Sequence, residues 1–161
     1  MSKISPFLWY DTQAEEAAKL YTSLFPNSKI TGTTYYNEEM SVPSGMPAGS
    51  VMTVSFELDG RKFSAMNAGP IFKFNESVSF SVMCDSQEEV DKYWNALTAD
   101  GGQESQCGWL KDKYGLSWQI TPKRLIELIS QGGESGKRAA LAMLKMRKID
   151  IKTIEDAAAG K

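Results

Sequence analysis

The chain has 161 residues, which suits one domain, and at 42% hydrophobic and 11% aromatic it can bury a core without disulfide staples. Its 18 basic and 20 acidic side chains leave a net charge of -2, so electrostatics gives no reason to expect nucleic acid or an anionic membrane as partner. It contains no histidine, which removes Ser-His-Asp and Cys-His nucleophilic catalysis and any His-ligated zinc, iron or nickel site. An acid/base step would fall to a perturbed Glu, Asp, Lys, Tyr or Cys, and a metal site to oxygens with at most a thiolate. No apolar run approaches the roughly 20 residues that span a bilayer, and Met1 to Pro6 lacks the charged-then-apolar pattern of a signal peptide. Two cysteines, Cys84 and Cys107, make no disulfide framework, so a reduced cytoplasmic protein is expected.

Ile4 to Tyr10 is a short apolar and aromatic run that predicts a strand. Thr12 followed by Glu15 has the form of a capping box, and Ala14, Ala17, Ala18, Tyr21 and Phe25 recur at helical spacing until Pro26-Asn27 stops them. Lys29 to Tyr36 is Thr/Tyr-rich and β-like. Asn37 to Ser50, with Pro43, Gly45, Pro47 and Gly49, predicts a long loop, with a lid as its functional alternative. Val51 to Leu58 and Arg61 to Asn67 form a hairpin through Asp59-Gly60, and Ala68 to Glu76 is a connector.

The pattern then restarts. Ser77 to Cys84 predicts a strand, and Ser86 with Glu89 a second capping box. Val90, Tyr93, Trp94 and Leu97 form a helical stripe that Asp100-Gly101-Gly102 ends. Gln106 to Lys113 and Leu116 to Thr121 predict strands joined at Tyr114-Gly115, and Pro122 closes the unit. The run Asp11-Thr12-Gln13-Ala14-Glu15 corresponds to Asp85-Ser86-Gln87-Glu88-Glu89: each follows a strand, opens a helix and precedes a Gly-centred hairpin. Strand, helix, then strands, twice over, is the form of an internal duplication. The α+β fold expected is one domain, with module one at about 1–68, module two at about 77–122 and a helical tail at 123–161. In that tail Lys123 to Ser130 predicts a short helix, Gln131 to Gly136 a Gly-rich break, Lys137 to Lys148 a basic amphipathic helix, and Ile149 to Ala159 a further turn or two.

Several stretches resemble the PhnB-like proteins of the glyoxalase/bleomycin-resistance (vicinal oxygen chelate) superfamily. They are Pro6-Phe7-Leu8-Trp9-Tyr10-Asp11, Asn67-Ala68-Gly69-Pro70, Phe72-Lys73-Phe74-Asn75-Glu76, the specific run Cys107 to Ile120, and Met143-Leu144-Lys145-Met146 in the tail. The resemblance implies two βαβββ modules whose sheets curl into a cup with the ligand on the concave face. It also implies metal ligands, in the metal-dependent members, on the first and last strands of each half. Those positions here are Ile4, Val78 and Gln119, which offer at most one weak amide oxygen, so no metal and no other cofactor is expected. Similar proteins are often labelled demethylubiquinone methyltransferases. The chain has no Gly-rich strand-to-helix turn of the kind that cradles a dinucleotide-like cofactor, and methyl transfer is not expected of it.

The expected function is small-molecule binding by a homodimer, with a lyase, isomerase or dioxygenase-like enzyme as the alternative. Gln119 on the closing strand can hydrogen-bond a ligand through both amide ends. Trp9 and Trp118 on the first and last strands offer aromatic lining. Asn67, Phe72 and Phe74 at the junction of the halves lie where a cup mouth would be. No residue pattern points to a catalytic group. The acidic sets Glu15-Glu16 and Glu88-Glu89-Asp91 sit in first helical turns, where the helix dipole accounts for them.

Overall fold

The structure is a computed structural model, and it describes residues 3–161. The chain divides into two compact units, Met1–Phe74 and Asn75–Lys161.

In the first unit, β1 (Phe7–Tyr10), α1 (Ala14–Leu24), β2 (Lys29–Tyr35), α2 (Glu38–Ser44), β3 (Val51–Leu58) and β4 (Arg61–Asn67) follow in order. The sheet runs β1-β4-β3-β2, with β1 parallel to β4 and the other pairs antiparallel. Alternation along the strands assigns two faces. Leu8, Tyr10, Val54, Phe56, Leu58, Phe63 and Ala65 are buried on one face, with Ala14, Ala17, Ala18 and Tyr21 of α1. Each large apolar side chain so buried contributes about 1.5–3 kcal/mol. Phe56 stacks on Phe63 at 5.4 Å.

Two features of this unit differ from the sequence-based expectation. Thr12 and Glu15 form no capping box: Gln13 is the N-cap without a side-chain bond, and Asn67 supplies the cap, its Oδ1 accepting from Ala14 N–H at 2.8 Å. The 37–50 segment contains α2, capped by Asn37, whose Oδ1 accepts from Met40 N–H at 2.8 Å, and closed by Gly45 at φ 70°. None of the side chains of α2 itself is buried. Hydrophobic periodicity was therefore absent, and only the two caps marked the helix.

The second unit repeats the plan with β5 (Ser79–Cys84), α3 (Gln87–Thr98), a short 3-10 turn, β6 (Gln103–Glu104), β7 (Trp109–Lys111) and β8 (Ser117–Pro122). Its sheet order, β5-β8-β7-β6 with β5 parallel to β8, is that of the first sheet. The second predicted cap forms with its return bond shifted by one residue: Ser86 Oγ accepts from Glu89 N–H at 3.3 Å, and Glu89 accepts from the N–H of Asp85, the residue before the N-cap, at 2.7 Å. Val90, Tyr93, Trp94 and Leu97 of α3 are buried, as are Leu110, Trp118 and Ile120.

Three tail helices complete this unit: α4 (Lys123–Ser130), α5 (Gly133–Met143) and α6 (Ile151–Ala158). Leu125, Leu128, Ala139, Ile149, Ile154 and Ala158 form their own core. The 146–151 stretch is tied to the module. Cys107 and Gly108 N–H donate to the Met146 and Arg147 carbonyls at 2.8 and 2.7 Å. The Gln87 amide both donates to the Ile149 carbonyl and accepts from Ile151 N–H.

Candidate functional site

In each unit the alternate strand residues on one sheet face pack with that unit's helices, and those on the opposite face, here called the free face, are mostly polar or half-buried among the described residues. In the first unit that face holds Phe7 and Trp9 of β1, beside Ser64 and Met66 of β4 in register. Trp9 Nε1 donates to the Gly69 carbonyl at 2.9 Å, and its ring meets the edge of Phe72 at 5.0 Å and 76°. Trp9 and Phe72 are thus brought together, and Phe72, at 62%, is well exposed.

Asn67 and Phe74 serve the packed side. Asn67 is buried. Its amide nitrogen donates to the Val51 carbonyl at 3.1 Å, and its backbone carbonyl accepts from the Tyr36 hydroxyl at 2.6 Å, in addition to the cap on α1. Phe74 meets Tyr10 edge-on at 5.1 Å, and Tyr10 lies among the buried residues, its hydroxyl 3.2 Å from that of Tyr21. The segment after Asn67 places Phe72 against Trp9 and Phe74 against Tyr10, two neighbours that point to opposite faces of β1.

In the second unit the free face is built in cross-strand rows. Lys111, Ser117 and Ser79 form one row across β7, β8 and β5, and Trp109, Gln119 and Ser81 form the next. Thr121 and Met83 form a third. Gln119 Nε2 donates to Ser79 Oγ at 2.8 Å, which leaves its amide oxygen to accept. Ser117 is 1% exposed, and its hydroxyl is buried with no hydrogen-bond partner among the described residues. Lys111 pairs with Glu76, and hydrogen bonding to Lys111 is the main influence holding the Glu76 carboxyl below its ordinary range. Ser117 was not anticipated in the sequence, because a lone serine in a strand carries no signal until its partners are known.

Trp118 and Gln119 are consecutive on β8 and face opposite ways. Trp118 lies on the packed face, 3% exposed, with its indole N–H donating to Asp112 at 2.9 Å and its ring 5.6 Å from Phe80. Six residues were anticipated as lining; Trp9, Phe72 and Gln119 lie on free faces, whereas Asn67, Phe74 and Trp118 lie behind them.

The positions where metal-dependent relatives carry ligands do not fit a metal here. Ile4 and Val78 are exposed hydrocarbon side chains, and Gln119 is a neutral amide engaged with Ser79. Among the described residues, no three His, Cys, Asp or Glu side chains come together as a metal-holding group. Cys84 is buried, and burial, with Glu89 and Asp85 nearby, pushes its thiol up to about 12, which keeps it protonated and unreactive. Among the described residues, no helix is long and apolar enough to cross a membrane.

A family model described as 3-demethylubiquinone-9 3-methyltransferase matches residues 2–121. A PhnB protein from Bacillus cereus, itself assigned that methyltransferase name, is 34% identical over 75% of this chain and 99% of its own, with a TM-score of 0.67. A protein from Pseudomonas aeruginosa has the same fold at 20% identity, covering 76% of this chain and 98% of its own at a TM-score of 0.59. So does a variant of the fosfomycin resistance protein FosX from Listeria monocytogenes, in complex with Mn(II) and a dihydroxypropylphosphonic acid. It is 17% identical, with 73% of this chain and 90% of its own covered at a TM-score of 0.50. No curated protein matches. With two modules of the same strand order and a family match over most of its length, the chain belongs to the PhnB-like family named for 3-demethylubiquinone-9 3-methyltransferase.

Proposed function

We propose that this protein binds a small, partly apolar organic molecule on the free face of a sheet and holds it without a metal ion. The observation that carries this reading is the second sheet's free face. Its side chains are hydroxyls, an amide and a lysine beside the indole of Trp109, and one hydroxyl, that of Ser117, is buried with no partner among the described residues. A buried, unpaired polar group costs about 1–3 kcal/mol, and a ligand that bonds to it recovers that loss. Aromatic surface with a few placed polar groups is the usual make-up of a small-molecule site. Trp9 and Phe72 offer comparable aromatic surface in the first unit. The donor set at Ile4, Val78 and Gln119 supports binding by side chains and not by coordination. A homodimer in the cytoplasm goes with this reading: the family resemblance supports the first, and two free thiols support the second.

Backbone amide NMR with a set of small aromatic fragments tests the binding face. The expected result is that fragments shift the amides of Ser79–Met83, Trp109–Lys111 and Ser117–Thr121, and that Gln119→Ala weakens them several-fold. Shifts confined to the tail helices, with those strands silent, would overturn it.

A further inference from the structure

The row Lys111–Ser117–Ser79 lies on the free face of its sheet, yet its middle member is fully buried. β5 and β7 flank β8, so they stand about 9–10 Å apart. Glu76 leads into β5 and pairs with Lys111 of β7. That ion pair links the strands on either side of β8, at the end of the strand where Ser117 sits. The pair itself is open to water: side-chain exposure is 33% for Lys111 and 60% for Glu76. An ion pair of that kind is worth little, about 0–1 kcal/mol, and a competing carboxylate can replace it.

Resting on the binding face read above, we propose that its ligand is an aromatic monocarboxylate, and that the Glu76 carboxylate is a built-in stand-in that the ligand displaces from Lys111. Three features fit a carboxylate and not a neutral group. Lys111 supplies the charge. The Ser117 hydroxyl, which has no partner among the described residues, can donate to one carboxylate oxygen. The Ser79 hydroxyl accepts from Gln119, which leaves its own proton free to donate to the other oxygen. The next row places Trp109 beside Gln119, one pleat repeat away, where a ring attached to that carboxylate would lie. A single lysine matches a monoanion; a dianion would leave one charge uncompensated next to the displaced Glu76. Displacement sends the Glu76 side chain into solvent, where it is already more than half exposed.

The test is titration of the full chain with 2-naphthoate and with its uncharged isostere 2-naphthamide, followed by amide NMR of β5, β7 and β8. The proposal predicts that naphthoate binds at least 5-fold more tightly than naphthamide. Glu76→Gln, which removes the stand-in, should raise naphthoate affinity several-fold and leave naphthamide unchanged. Lys111→Met should abolish the preference for the acid, while retained naphthamide binding shows that the variant is folded. If acid and amide bind this face equally in all three proteins, the carboxylate inference falls and the binding face stands. If neither probe shifts these strands, both fall.

Discussion

Asp112 shows how much of this protein is fixed by single polar residues behind the open faces. It is 3% exposed, and its carboxylate accepts from the N–H groups of Tyr114 and Leu116 at 2.9 and 3.0 Å and from the Trp118 indole at 2.9 Å. Those bonds shape the turn into β8 and pin Trp118 to the core side, which in turn points Gln119 the other way. Asp112→Ala strands three donors, and each buried unsatisfied group costs about 1–3 kcal/mol. The expected loss is about 3 kcal/mol in denaturant unfolding, with altered near-ultraviolet circular dichroism from Trp118; a change under 1 kcal/mol would contradict this role. Asn67 works in the same way in the first unit, capping α1 from another strand. Neither role was legible in the sequence. Asp112 and Asn67 act on residues brought near by pairing, and local pattern does not tell which of the adjacent Trp118 and Gln119 faces the core.

At the scale of elements, β3, β4 and α4 lie where the sequence expected them, because the Asp59-Gly60 turn and Pro122 are strong local signals. Other elements depended on contacts that local pattern does not carry. The Gly-rich stretch at 131–136 was expected to break the chain, but α5 begins at Gly133. Gly136 is inside that helix because a Cβ there would lie 2.8 Å from the Leu128 carbonyl, so glycine lets α5 approach α4 closely. The tail's attachment depends on a second such position. Gly108 has φ 83°, and a Cβ would meet the Ile120 carbonyl at 2.8 Å and Ile149 at 3.2 Å, at the place where residues 146–149 bond to the module. Gly108→Ala should therefore push Ile149 away and cost about 2 kcal/mol through strain at positive φ and overpacking. Hydrogen exchange of the Ile154 amide should rise in this variant while that of Phe56 in the first unit stays as in the parent. Equal protection of Ile154 in both proteins would contradict the account.

For the whole molecule, the duplication was visible before the structure, because strand, helix and hairpin recur in the same order in both halves. The identical sheet orders bear that out. The family was legible from the run Cys107 to Ile120, and the match over residues 2–121 agrees. On chemistry the sequence speaks chiefly by exclusion: it has no histidine, and the alkyl side chains of Ile4 and Val78 offer no ligand atom. What the sequence could not show was the row Lys111–Ser117–Ser79, since its members come from three strands and are united only by register. The central claim is that this protein holds an organic molecule by its side chains and not through a metal. Native mass spectrometry of gently purified protein measures retained organic mass, bound metal and subunit count together. The account predicts a metal-free homodimer carrying an organic mass that the Gln119→Ala variant releases; a stoichiometric divalent metal, lost in that same variant, would contradict it.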